Sequence, residues 1–186
     1  MSAEEHSRLE TIDTILRVED VRTQIQPIIK RVRADLSGKP QAVMTWEPIP
    51  LDTFRGALPE GIRSSWVFIL RAGANTGAER HPNSHQRMMS FGGMGDMQIG
   101  NEKSNIRGQN EGREIQWQSN ILVSERDAPL DRRWISIPTN VWHQPVISKD
   151  GDWIVVSFHT VPADELIEER PADTRRGGTK QMVYLD

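Results

Sequence analysis

The sequence predicts an all-β domain of short antiparallel strands, a sandwich or a barrel, behind an N-terminal helical arm. Three observations lead there. Apolar residues recur at helical spacing over the first 36 residues. Beyond Pro40 the chain breaks into short runs rich in β-branched and aromatic residues, separated by Gly, Pro, Asn and Asp clusters. No helical segments alternate with those runs, which argues against a parallel α/β sheet.

The arm comes first. Leu9, Ile12, Ile15 and Leu16 form one helical stripe; Ile25, Ile28, Ile29, Val32 and Leu36 form a second. Pro27 is read as the break between them, since its missing N–H suits the first turn of a new helix. LSGKP (36–40) stops the second helix with Gly and Pro. Such stripes serve core or partner packing, and an arm ahead of a small domain is a candidate to lie on a neighbouring subunit. Strands are expected in QAVMTWEPI (41–49), SSWVFILRA (64–72), RMMSF (87–91), DMQIG (96–100), REIQWQS (113–119), RRWISIP (132–138), HQPVIS (143–148) and DWIVVSFHTV (152–161). ADELIEERP (163–171) reads as a short helical turn, ADTRRGGTK (172–180) as a flexible linker, and QMVYLD (181–186) as a last strand on a sheet edge, its own or a partner's. The resulting division is an arm over 1–38, a β domain over 39–163 and a tail over 164–186.

Composition narrows the function. The 186 residues are 36% hydrophobic and 26% charged, ordinary for a soluble protein, and the net charge of −3 leaves no broad basic surface for nucleic acid. There is no cysteine, so disulfides, thiol nucleophiles and zinc fingers are excluded, and any metal must use His, Asp, Glu or amides. The N-terminus has no basic-then-apolar leader, and no apolar run approaches the ~18 residues of a membrane span. The expectation is a cytoplasmic protein with neither nucleic-acid nor membrane partners.

The chemistry concentrates in GANTGAERHPNSHQRMMSFGG, Gly73 to Gly93. Pro82 rules out a continuous helix there, so His81 and His85 are not a helical metal pair. On a strand, residues two apart share a face, which aims Glu79 and His81 at one point. After the turn, Gln86, Met88 and Ser90 share one face while His85, Arg87 and Met89 share the other. If Gln86 points inward with His81, His85 points out.

At these residues the chain resembles the cupin superfamily. The family's first motif is Gly, five residues, His-x-His, three or four residues, Glu, six residues, Gly. Here Gly73 opens the motif, Glu79 and His81 take the two His positions, Gln86 takes the Glu position and Gly93 closes it, with the spacing matched at every step. The second motif runs Gly, five residues, Pro-x-Gly, two residues, His, three residues, Asn. Pro138 and His143 match it, while Arg132, Asn140 and Ile147 replace the Gly, Gly and Asn. Asn140 is a mild change, because Asn tolerates the left-handed backbone that Gly supplies. The resemblance implies a single cupin-type antiparallel β-barrel, a double-stranded β-helix or jelly roll. It also implies one divalent metal inside the barrel (Fe, Mn, Ni or Zn), held by Glu79, His81, Gln86 and His143. Relative to the family pattern the carboxylate has moved from the last position of the first motif to the first, and the ligand charge is unchanged. Two His and one carboxylate is also the facial set of non-haem iron sites. Three roles are open to Gln86: a weak ligand, an orienter of bound water, or a hydrogen-bond partner of substrate. A homodimer paired through sheet edges follows from the resemblance, with arm and tail as exchange elements.

Two functions from different classes remain. One is a metal-dependent enzyme, a dioxygenase-type cupin acting on a small organic substrate. The other is a non-enzymatic cupin that binds or senses a small molecule, with or without metal; in that case Glu79 pairs with Arg80, Arg87 or another charge, and His143 is a core histidine beside Trp142. Among the remaining candidates, His159 shares a strand face with Ser157 and Val155, so it either lines the barrel mouth as an acid/base or simply ends a strand. His85 enters the site only if the register slips by one residue, and His6 is expected to be solvated. Neither Ser84 nor Ser157 sits on a nucleophile elbow. GGMG lacks the Lys-Ser/Thr of a phosphate loop and suits a hairpin turn. Trp142 and Trp117 are candidates to wall a pocket.

Overall fold

A computed structural model describes residues 1–100, 115–171 and, as backbone, 179–183. Helix α1 (Ala3–Arg17) starts at Ser2, whose hydroxyl accepts the Glu5 N–H at 3.2 Å. It ends at Val18, which is extended, and α2 (Glu19–Gly38) follows at once with Glu19 and Asp20 in its first turn. The break therefore lies at Val18, and Pro27 sits inside α2. Pro27 is exposed, so the carbonyl it leaves unbonded one turn earlier falls on the solvent side, where water replaces the missing N–H.

The remaining elements are strands β1 (Met44–Pro48), β2 (Ser64–Leu70), β3 (Gln86–Gly92), β4 (Met94–Gly100), β5 (Trp117–Gln118) and β6 (Ile121–Val123), the helical turn α3 (Leu130–Arg133), then β7 (Trp134–Ile137), β8 (His143–Ile147), β9 (Trp153–His159), β10 (Ile167–Pro171) and β11 (Thr179–Val183). A five-stranded sheet runs β1-β2-β9-β3-β7. In a four-stranded sheet, β4 pairs with β5 and β6 along one edge and β8 along the other. All ladders among the described residues are antiparallel.

The chain beyond β2 widens the second sheet. Bridges Asn75–Val146 and Glu79–His143 lay residues 75–80 beside β8, and the bridge Arg80–Glu169 lays β10 on their far side. The stretch holding Glu79 and His81 thus runs between β8 and β10, and β11 pairs with the far edge of β10. The expectation of a closed barrel is not met: among the described residues no ladder joins the five-stranded sheet to the four-stranded one. The two sheets face each other instead as antiparallel layers.

Each face of the five-stranded sheet has its own core. One face carries Val67, Ile69, Met89, Phe91, Ile154, Val156 and Phe158, and the stripes of α1 and α2 bury against it. Ten apolar helix side chains are buried there, from Leu9 to Leu36, each contributing about 1.5–3 kcal/mol. The arm therefore packs on its own chain. The other face carries Trp66, Phe68, Leu70, Met88, Trp153 and Val155, which meet Met97, Leu122 and Ile147 of the second sheet. Gly95 makes this contact possible, since a Cβ there would lie 2.3 Å from the Trp153 ring. Toward their other ends the same strands turn polar: Ser64 opposes His159, and His159 opposes Gln86. That polar end of the interlayer space is where the site lies.

Three local expectations change. ADELIEERP forms a 3-10 turn over Ala163–Glu165 and then strand β10, because Glu168, Glu169 and Arg170 find ion-pair partners on a sheet edge. Ile121–Val123 is a strand with no counterpart among the expected runs, and Arg132 and Arg133 end the turn α3 rather than starting β7. Most of the expected linker (172–178) and the end of the tail (184–186) lie outside the described residues. Among the described residues no helix is long and apolar enough to cross a membrane.

Candidate metal centre

Glu79 and His143 form a hydrogen-bonded antiparallel pair: each N–H donates to the other's carbonyl at 2.8 Å. Paired residues direct their side chains to the same face, and His81, two residues on, shares that face. The result is three buried side chains, Glu79, His81 and His143, each offering a ligand atom within 4.8 Å of the others. The second-motif turn is tied in by Asn140, whose N–H donates to the His81 carbonyl at 3.0 Å. Asn140 has φ 63°, the left-handed conformation at which Asn substitutes for Gly.

Hydrogen bonds identify the tautomers. His81 Nδ1 lies 3.0 Å from the Ile167 carbonyl, and His143 Nδ1 lies 3.0 Å from the Val141 carbonyl. A carbonyl only accepts, so both Nδ1 atoms carry hydrogen, and a ring in the neutral form has its lone pair on Nε2. Nδ1–H held by a backbone carbonyl is the usual support of a metal-binding imidazole. His143 Nε2 is buried, has no hydrogen-bond partner, and stands 3.4 Å from Glu79 Oε1. A lone pair facing a carboxylate oxygen calls for a cation in the vicinity, either a proton on Nε2 or a metal ion.

The electrostatics keep two of the donors, His81 and Glu79, in ligand form. Burial, reinforced by neighbouring His143, pushes His81 down to about 4, so it is neutral at pH 7. Burial alone would raise the Glu79 carboxyl, but His143, His81 and the Arg170 guanidinium together hold it below the ordinary carboxylate value. Two imidazoles and one carboxylate, buried and converging on one point, fit a divalent cation.

The facing sheet supplies the other side. Gln86 is buried, and its Oε1 has no hydrogen-bond partner. Beside it His159 is buried between two hydroxyls, Ser84 Oγ at 3.3 Å from Nδ1 and Ser157 Oγ at 3.3 Å from Nε2. Its ring meets His81 edge-on at 5.1 Å, and burial followed by the nearby histidines keeps it neutral. His85 faces the other way: Nε2 bonds Ser136 Oγ at 2.7 Å and lies 3.6 Å from Glu5 of α1. His6 is exposed on α1, 3.4 Å from Glu10. Trp142 lies beneath the Arg80 guanidinium at 4.5 Å.

The expected partners of Glu79 are engaged elsewhere: Arg80 pairs with Glu169 at 2.7 Å and Arg87 with Glu5 at 2.6 Å. Glu79 instead meets Arg170, whose Nη2 donates to Oε2 at 2.7 Å. Sequence reasoning missed Arg170 and Glu168. The available signal was their i, i+2 spacing, which on a strand puts opposite charges on one face.

No protein-family model and no curated protein matches the chain. It is similar to several solved structures. For an oxalate oxidase in complex with the substrate analogue glycolate, identity is 15%, the alignment covers 63% of this chain and 51% of the other, and the TM-score is 0.43. For the capsular polysaccharide assembling protein CapF of Staphylococcus aureus the values are 12%, 73% and 28%, with a TM-score of 0.45. For the coconut allergen cocosin they are 14%, 68% and 27%, with a TM-score of 0.46. The alignments thus span about half of the oxalate oxidase chain and under a third of the other two. Below a TM-score of 0.5 such likenesses decide neither family nor chemistry, so the reading of the site rests on this chain's own residues and strand arrangement.

Proposed function

We propose that this chain is a metal-dependent protein of the cupin type, holding one divalent ion with Glu79, His81 and His143, and that it acts as an oxygenase on a small organic substrate. The observation that carries the metal is the convergence of three buried donors with a partnerless His143 Nε2 facing Glu79 Oε1. A bound ion would supply Lewis acidity or oxygen activation. The protein's own groups set the conditions around it. The Ile167 and Val141 carbonyls orient the imidazoles, and burial of His81 keeps its lone pair available at neutral pH. Gln86 Oε1, on the facing sheet, is an acceptor placed to hold a substrate O–H or N–H, or a water. Trp66, Phe68 and Met88 make the remainder of that sheet face apolar, which suits a small organic molecule. A homodimer paired through β1 belongs to the same reading: β1 is an edge strand and exposes Trp46.

One observation favours a second reading, a binding or sensing module without metal. Arg170 already donates to Glu79 Oε2, and a proton on His143 Nε2 would give Oε1 a donor as well. Elemental analysis of the untagged protein separates the two. The metal reading expects close to one divalent ion per chain, lost in Glu79→Ala and in His143→Ala. Substoichiometric metal that neither substitution changes would sink it. Oxygen consumption with thiols, diketones and catechols then tests the reaction class.

A further inference from the structure

Three ligand candidates come from the stretch between Gly73 and Ile147, yet two of them are oriented from outside it, by strand β10. The Ile167 carbonyl holds His81 Nδ1. Three residues on, the Arg170 guanidinium is spread over three acceptors. Nη2 donates to Glu79 Oε2 at 2.7 Å, Nη1 to the Thr76 carbonyl at 2.6 Å, and Nε to Glu168. The planar fork fixes these three directions relative to one another. One carboxylate oxygen of Glu79 is thereby engaged, and the other faces His143. The strand is itself anchored beside the site. Asn83 donates to the Glu165 carbonyl at 2.6 Å and accepts the Ile167 N–H at 3.2 Å, while Arg80 and Glu169 exchange backbone hydrogen bonds and a buried ion pair.

We propose that Arg170 is the positioning residue of the metal centre: it restricts Glu79 to one ligating oxygen, Oε1, and thereby sets both the affinity and the coordination geometry of the ion. The inference rests on the metal reading above. Charge decides how it must be examined. A lone guanidinium beside a divalent cation would repel it, but Glu168 sits on Nε and is buried, so the Arg170–Glu168 pair adds no net charge. Removing Arg170 alone would strip a repulsion and an orientation together. Removing both members of the pair isolates the orientation.

The experiment uses Co(II) as probe on the full chain stripped of metal, reading affinity by calorimetry and geometry by visible absorption. The variants are the double substitution Glu168→Gln with Arg170→Gln, and Arg170→Lys, which keeps the charge but loses the fork. The double variant should bind Co(II) about 10–100-fold more weakly than wild type, the usual cost of losing a group that orients a ligand. Its absorption should weaken, because a freed carboxylate that takes both oxygens to the metal raises the coordination number. Arg170→Lys should fall between. If the double variant melts with wild type in the metal-free state yet keeps wild-type affinity and spectrum, Arg170 has no positioning role. If it does not fold, Arg170→Lys decides: weakened binding with an altered spectrum upholds the role, and an unchanged protein overturns it. If wild type itself takes up no Co(II), the metal reading fails and the inference falls with it, an outcome distinct from equal binding by wild type and variants.

Discussion

Asp13 offers the sharpest stability test, because so much converges on one carboxylate. It lies on α1, buried against β7, and accepts from Arg133 Nη2 at 2.9 Å and from a second, shorter contact with Nη1. Trp134 Nε1 donates to it at 2.8 Å and Arg17 Nε at 2.7 Å. Arg133 is itself only 4% exposed. Asp13→Ala leaves that guanidinium buried and unpaired, a loss of ~3–5 kcal/mol for enclosed pairs. The seam is open on the Arg17 side, so the lower end, about 3 kcal/mol, applies. For a chain of this length that corresponds to a fall in Tm of roughly 6–12 °C. Thermal melts followed by circular dichroism at pH 7 measure it. The double variant Asp13→Ala with Arg133→Met should recover most of the loss, since an apolar side chain tolerates the buried position. The pH dependence gives an independent check. Burial works to raise the Asp13 carboxyl, but Arg133, Trp134 and Arg17 outweigh it and hold the folded value below the ordinary 3.8. A depressed folded value means the carboxylate's contribution is complete above the unfolded pKa of about 4 and drains away as pH falls through the folded one. The gap between wild type and Asp13→Ala should therefore be constant from pH 8 to about 5 and close below about pH 4. A fall in Tm under 2 °C, or a gap that widens in acid, would refute the reasoning.

Two further outcomes follow from the interior. Gly95→Ala would put a methyl group 2.3 Å from Trp153 Cε3, forcing the indole or β4 to move; a loss of about 1–3 kcal/mol is expected, with a changed near-ultraviolet signal from the displaced tryptophan. On the metal reading, an ion at a hundredfold its Kd stabilises the fold by about 2.7 kcal/mol, so chelation should lower Tm by roughly 5–11 °C in wild type. His143→Ala should show no response to the chelator.

Much of this was readable from residue order because two signals have strict periods. Runs such as SSWVFILRA carry β-branched and aromatic residues that have few alternatives to a buried strand, and β2 appears within them. The two-residue period put Glu79 and His81 on one face and turned His85 away, which the contacts of His85 with Ser136 and Glu5 match. Asn140 at φ 63° likewise follows from what its side chain tolerates. What escaped depends on partners far along the chain. Glu168, Glu169 and Arg170 read as part of a helical turn, whereas on strand β10 Glu169 pairs with Arg80 and Arg170 with Glu79 and Thr76, some ninety residues earlier, contacts that local sequence does not announce. The helix boundary escaped for a different reason. Pro27 is a strong local signal, but an exposed carbonyl satisfied by water tolerates it inside α2, whereas the actual break at Val18 carries no distinctive residue. The separation of the two sheets could not be inferred from strand patterns at all, since alternation specifies a face and not the neighbour.

The pairing of Glu79 with Arg170 has an evolutionary consequence. On the metal reading, an imidazole at position 79 would take from Arg170 Nη2 its carboxylate acceptor and leave Glu168 to balance the guanidinium, beside a site whose donors are then all imidazoles. The two positions are therefore expected to drift together: homologues with His at the place of Glu79 should lack Arg at the place of Arg170, and those that keep Arg there should keep the carboxylate. On the metal reading, a lineage crossing from one donor set to the other is expected to change both positions, since an intermediate with histidine and arginine together would set a guanidinium beside the ion without the Glu79 carboxylate between them.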